Sequence, residues 1–179
     1  MDYLAVLSGF AVGAIVGVTG VGGGSLMTPL LMGVFHLSPA LAIGTDLWFA
    51  AITKSGGSWA HHRLGHVDYR VTRLLLTGSV PATLATVALM HATGLTKTWA
   101  GALTTALGLA LLLTALSVAY RRGWSALGLR LEQWLPERRK AWLTVASGAL
   151  LGVLVSLSSI GAGAIGATLL LLLYPRLPA

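Results

Sequence analysis

Cysteine is absent, and only 9% of the 179 residues are charged, against about a quarter in an ordinary soluble domain. Without cysteine there is no disulfide framework, Fe–S cluster or thiolate-ligated zinc site. With so little charge the chain cannot cover its own surface in polar groups, which excludes an ordinary soluble enzyme and a disordered tail. Acidic residues are the scarcest charge, five against twelve Lys and Arg, for a net charge of +7. No groove-reading motif accompanies that excess, so nucleic acid is not an expected partner. No Ser/His/Asp arrangement, H-E-x-x-H helix or P-loop lysine occurs either. The chain is therefore expected to be no enzyme, with no catalytic residue, metal set or cofactor. His61, His62, His66 and Asp68 read as a solvated loop rather than a metal site.

What is present is oily sequence, 55% apolar with a mean hydropathy of +0.81. A bilayer core needs about 20 apolar residues in a helix. Asp, Glu, Lys and Arg are missing from residues 3–45, 74–96, 98–120 and 141–175. The middle two runs predict one span each; the outer two are longer and carry glycine clusters that interrupt them. The predicted map is a span over 3–19, a half-helix over 25–35, and spans over 39–60, 74–91, 99–119 and 142–157. A second half-helix reaches residue 174. The N-terminus lacks the positive region of a cleaved signal peptide and reads as a retained span. Nine of the twelve basic residues fall in two loops, Arg63–Arg73 and Arg121–Lys140, separated by two spans. The positive-inside rule places both loops in the cytoplasm. The second loop reads either as a short helix on anionic lipid or as a plain connection. The expected fold is all-α, a polytopic bundle divided at 1–119, 120–141 and 142–179.

The chain repeats itself. At an offset of 139 there are ten identities in 33 gapless positions, among them Gly9, Gly13, Gly22, Gly24 and Pro39 against Gly148, Gly152, Gly161, Gly163 and Pro178. Duplicated halves, each with a broken helix at the same place, are the sequence signature of secondary transporters. The second copy stops at Ala179, so a truncated chain, or a half-molecule that finds its missing helices elsewhere, is expected.

The first break reads Thr19-Gly20-Val21-Gly22-Gly23-Gly24-Ser25. Each glycine disfavours helix by roughly 1 kcal/mol relative to alanine. Unpaired backbone groups cost several kcal/mol in hydrocarbon, so such a stretch belongs against protein or around a polar cavity. A new helix beginning at Ser25 or at Thr28-Pro29 would aim free N–H groups and a positive dipole end at the break, a site for an anion that needs no lysine. The second break, Ser158-Ser159-Ile160-Gly161-Ala162-Gly163, aligns with the first and adds hydroxyls. Gly9, Gly13 and Gly17 form a small-residue stripe expected to pack helices together. The second predicted span holds Thr45, Asp46 and Lys54. Ionisable groups at that depth usually face a cavity or a partner. Asp46 is expected to face the interior; Lys54 either attracts an anion or snorkels to the surface.

Gly20–Ser25 followed by Pro29-Leu-Leu, then Ala42-Ile-Gly-Thr-Asp46, then Gly65-His-Val-Asp68, resemble the TauE/SafE family of membrane transporters. Leu157–Gly163 and Leu173–Pro178 fit the same resemblance. It implies a carrier of a small anion, of the sulfite or organosulfonate class, built from two repeats in a bacterial inner membrane. The substrate-binding set expected from the breaks and the second span is Thr19, Gly22, Gly23, Gly24, Ser25, Thr45, Asp46, Lys54, Ser158, Ser159, Gly161 and Gly163. Expected partners are the anionic solute, the lipid bilayer, and either a second copy or the missing helices of the second repeat. The alternative is a non-transporting half-transporter, scaffold or partner subunit, because the rest of the second repeat is absent.

Overall fold

The structure is a computed structural model that describes residues 3–19, 24–65, 67–93, 100–160 and 163–176. Among the described residues there are eight α-helices and no strand. They are α1 (Tyr3–Thr19), α2 (Gly24–Gly33), α3 (Pro39–Arg63), α4 (Tyr69–Thr93), α5 (Ala100–Ala119), α6 (Arg121–Trp134), α7 (Glu137–Ser158) and α8 (Ala164–Leu173). The helical membrane fold expected from the apolar runs is the fold observed. α4 and α7 are long and apolar enough to cross a bilayer, with mean hydropathies of 1.5 and 1.8. Large apolar side chains such as Phe10, Trp48, Leu84, Leu112 and Trp142 point outward, as suits a surface bathed in lipid rather than water.

α1 ends at Thr19, where the glycine run begins, and α2 starts at Gly24. Thr28 and Pro29, one of the two expected starts, therefore lie inside α2. Proline is tolerated there because it forfeits only one early i→i−4 bond. The Gly65-His-Val-Asp68 segment is a stop and a start. Gly65 takes a left-handed φ of +73° and its N–H donates to the His62 carbonyl at 3.1 Å, ending α3. The Asp68 carboxylate then accepts the N–H groups of Arg70 and Val71 at 2.9 and 3.1 Å, capping α4.

Glycine makes the tightest seam in the bundle. Between α4 and α7 the backbones nearly touch: a methyl group at Gly78 would lie 2.0 Å from the Val145 carbonyl oxygen, and one at Gly148 2.4 Å from that of Leu75. Gly152 meets the Ser79 carbonyl oxygen at 2.6 Å in the same sense. The packing stripe expected at Gly9, Gly13 and Gly17 is not used this way among the described residues, none of whose atoms lies within 4 Å of a methyl placed on any of them. The stripe that packs is its repeat counterpart, Gly148 and Gly152. The difference is one of neighbours. α1 is held by Val12, in one apolar cluster with Met27, Leu31 and Ala42, while α7 has α4 laid along its glycines.

The pairings also give directions. Leu75 meets Gly148 and Ser79 meets Gly152, so α4 and α7 run parallel. Tyr174 at the end of α8 reaches back to Thr144 with its hydroxyl at 2.9 Å, so α8 folds back along α7. Val12, Met27 and Leu31 share one core, so α2 folds back along α1. Thr28 meets Asp46 and Leu31 clusters with Ala42, so α3 runs opposite to α2. The far end of α3 is tied to the start of α4 by a His62–Tyr69 contact, and the start of α4 to that of α7 by an Arg70–Glu137 ion pair at 3.3 Å. α3 is therefore antiparallel to α7, α1 runs with α3, and the two copies, α1–α2 and α7–α8, are inverted.

The two basic loops meet at one end of this bundle. There α6 is helical rather than a plain connection, and it packs on α8, where a methyl at Gly128 would sit 2.3 Å from the Leu171 carbonyl oxygen. Lys140 is buried beneath it, with its ammonium 3.7 Å from Glu132, 3.9 Å from Glu137 and 4.6 Å above the Tyr174 ring. Arg176 closes the network onto Glu132 at 3.0 Å.

Candidate functional site

Asp46 is the centre of the candidate site. It is fully buried, at 0% exposure, in the second turn of α3. By helix rise it lies about 10 Å from Pro39 and about 25 Å from Arg63. The site thus occupies the half of the bundle away from the basic end, rather than its midplane. Thr28, equally buried, donates its hydroxyl to Asp46 Oδ2 at 2.8 Å. That bond pins α2, the half-helix after the first break, against α3.

Ser159 comes to the same carboxylate from the second repeat. It follows the last residue of α7 in the left-handed conformation, φ +58°, with its N–H still bonded to the Val155 carbonyl at 2.8 Å. A left-handed turn at this point ends the helix and rotates the next residues out of its axis. Ile160, the following residue, clusters with Leu107 and Ala110 of α5, and Met32 of α2 packs against that cluster, which holds the end of α7 against the first repeat. The Ser159 hydroxyl then lies beside the Asp46 carboxylate but outside hydrogen-bond geometry. Ser158 is spent locally: its hydroxyl donates to the Leu154 carbonyl at 2.7 Å and accepts the Ile160 N–H at 3.2 Å. Gly163 caps α8, whose first three residues, Ala164, Ile165 and Gly166, are buried. The leading N–H groups of a helix have no partner within it.

The other expected residues fall as follows. Thr19 closes α1 and Gly24 opens α2, with Ser25 half-buried in its first turn. Gly22, Gly23 and Gly161 lie outside the described residues. Thr45 points away from Asp46 and lines an apolar groove on another face of α3 with Leu41, Gly44 and Trp48. Lys54 stands two turns further along α3, exposed, and acts on Asp46 through charge rather than contact. The structure therefore brings together Asp46 and Ser159 and leaves Thr45 and Lys54 apart. Thr28 was the missed member. Its signal in the sequence was a threonine one residue before proline, which reads equally well as a helix cap.

The chain is similar to known proteins. The family model described as Sulfite exporter TauE/SafE matches residues 5–179. The probable membrane transporter protein YjnA of Bacillus subtilis (strain 168) is 34% identical over 177 residues, 97% of this chain and 69% of that protein. The probable membrane transporter proteins YunE and YdhB of the same organism are 36% and 34% identical over 70 and 68 residues, 39% and 38% of this chain and 26% and 28% of theirs. No solved structure matches the chain. With a family match along nearly its whole length and a relative one third identical over the same span, the chain belongs to the TauE/SafE family of membrane transporters.

Proposed function

We propose that this chain forms the anion-handling part of a secondary carrier for a small anion of the sulfite or organosulfonate class. It lies in a bacterial cell membrane with the basic loops on the cytoplasmic side. One observation carries the reading: an inverted pair of broken helices brings Asp46 and Thr28 of one repeat against Ser159 of the other. Inverted repeats with discontinuous helices suit alternating access, because a site between two repeats opens to either side as one rocks against the other. The anion is met by backbone N–H groups and serine hydroxyls rather than by a lysine, since Lys54 stands exposed and apart. Arg70, Arg73, Arg130, Arg138 and Arg139 gather at the end of the bundle where α4 and α7 begin, which supports a cytoplasmic assignment for that end.

The match to YjnA covers 97% of this chain and 69% of that protein, and a second reading is a partner subunit that transports only with further helices. Vesicles separate the two. Flux of sulfite or a short organosulfonate through membranes containing this chain alone supports an autonomous carrier, while flux that requires added helices supports the subunit. In either preparation Gly23→Leu, in the glycine run of the first break, should abolish flux at normal membrane insertion. Normal flux in that variant refutes the site.

A further inference from the structure

We propose that Asp46 is the proton-binding group of this carrier, taking one proton on Oδ1 for each anion that enters the site and releasing it when the anion leaves; the proposal rests on the carrier reading above. Asp46 Oδ2 is satisfied by the Thr28 hydroxyl, but Oδ1 has no hydrogen-bond partner among the described residues. Ser159, 7% exposed and beside the same carboxylate, has a hydroxyl that is equally without a partner among them. Two buried oxygens side by side, neither in a formed hydrogen bond among the described residues, are placed to share one hydrogen.

A proton fits. When Asp46 is ionised, the Ser159 hydroxyl can turn to donate to Oδ1. When Oδ1 carries a proton, that O–H can donate to a lone pair of the Ser159 oxygen. Thr28 donates to Oδ2 in both states, so the change needs no rearrangement of α2. The step balances simply: one proton adds to Oδ1 from water on one side of the membrane and leaves it to water on the other, with no other bond made or broken.

The surrounding charge makes the proton necessary. The described residues of α1, α2 and α5 and the turn at 158–160 contain no Asp, Glu, His, Lys or Arg. The one charge acting on Asp46 from its own helix is Lys54, exposed two turns away. An ionised Asp46 would therefore repel an anion arriving at the break with no cation in contact to offset it. Protonation removes that repulsion, so the anion and the proton bind together. Coupling then follows from one shared site, with no longer-range device.

The test uses the protein expressed from its own gene, reconstituted into vesicles that enclose a pH-sensitive dye. The probe is methanesulfonate, a strong-acid anion that carries no proton of its own. The expected result for the wild type is that inward methanesulfonate acidifies the interior, and that an imposed inward proton gradient raises accumulation about tenfold or more. Asp46→Asn should abolish both, and whatever exchange remains should be flat from about pH 5 to 8. Ser159→Ala, a milder change, should keep proton-coupled uptake but shift its pH midpoint. Size-exclusion profiles and helicity by circular dichroism check the fold of each variant. Uptake without acidification, uptake driven by sodium instead, or an unshifted midpoint in Ser159→Ala overturns the proton assignment and leaves the carrier reading standing. No flux of methanesulfonate or sulfite in the wild type overturns both.

Discussion

The repeat offers a matched experiment on what glycine does in a membrane helix. Gly9 and Gly13 of α1 correspond to Gly148 and Gly152 of α7 at the 139-residue offset. The pairs share spacing and register but not surroundings. A methyl at Gly148 would meet the Leu75 carbonyl oxygen at 2.4 Å, and one at Gly152 the Ser79 oxygen at 2.6 Å, both backbone atoms that cannot swing aside. Ordinary contact begins near 3.4 Å, so α4 would have to retreat by about 1 Å. Gly78 lies in the same seam, so that retreat would loosen its contact with Val145 as well. A methyl at Gly9 or Gly13 meets nothing within 4 Å. Consider Gly→Ala at both positions of each pair. The helix-propensity gain of about 1 kcal/mol per site is common to both and cancels in the comparison. Overpacking of about 1–3 kcal/mol per site enters only the α7 pair, so the two double variants should differ by about 2–6 kcal/mol. Reversible unfolding in mixed micelles, followed by circular dichroism as SDS is raised, measures the difference. The α7 variant should unfold at lower SDS than the α1 variant. Equal shifts for the two, or a larger loss in the α1 pair, would refute the argument that close approach of α4 is what these glycines serve.

Two further outcomes follow from the ends of helices. Asp68→Ala removes the acceptor for the Arg70 and Val71 amides, and should cost about 0.5–2 kcal/mol, with faster hydrogen exchange confined to the first turn of α4. Lys140→Met keeps the aliphatic stem but deletes the charge held by Glu132, Glu137 and the Tyr174 ring, and should cost about 1–3 kcal/mol. Added salt should weaken the exposed Arg70–Glu137 pair while leaving the buried Lys140 network nearly intact, which separates the two in a melting series.

Much of the architecture was legible because the bilayer forces it. Charge-free runs had to be spans, and a run of glycines between them had to be a break, so α1 ends at Thr19 as the sequence predicts. Asp46 was legible as an interior residue for the same reason: no lipid-facing position tolerates it. What was not legible depended on pairing across the chain. Thr28 looks like a helix cap until α2 is seen to begin four residues earlier and its hydroxyl to point at Asp46. Gly9, Gly13 and Gly17 read as packing residues by their spacing, and nothing local says that only the second copy meets a helix. The second loop left helix and plain connection open because Trp124, Leu127, Leu129, Leu131 and Trp134 are interleaved with its charges; the structure has a helix there, packed on protein at Gly128 against Leu171.

Duplication explains why the site could not be read from either half. A repeat by itself supplies a break and a half-helix, and nothing in its sequence says what the break will face. Asp46 has its Thr28 partner from its own copy, and its other oxygen has no hydrogen-bond partner among the described residues. The group that approaches that oxygen, Ser159, stands at the position equivalent to Gly20, so the two breaks align in sequence but differ in side chain there. The hydroxyl present in one copy and missing from the other makes the site asymmetric across an otherwise inverted pair. An asymmetric site between symmetric elements can hold a proton on one repeat while the other repeat's backbone meets the anion. Replacing Gly20 by serine would put a hydroxyl at the equivalent place in the first break. If asymmetry is what assigns the two ligands, that variant should weaken the dependence of uptake on the proton gradient; if coupling depends on Asp46 alone, the dependence will stay as it was.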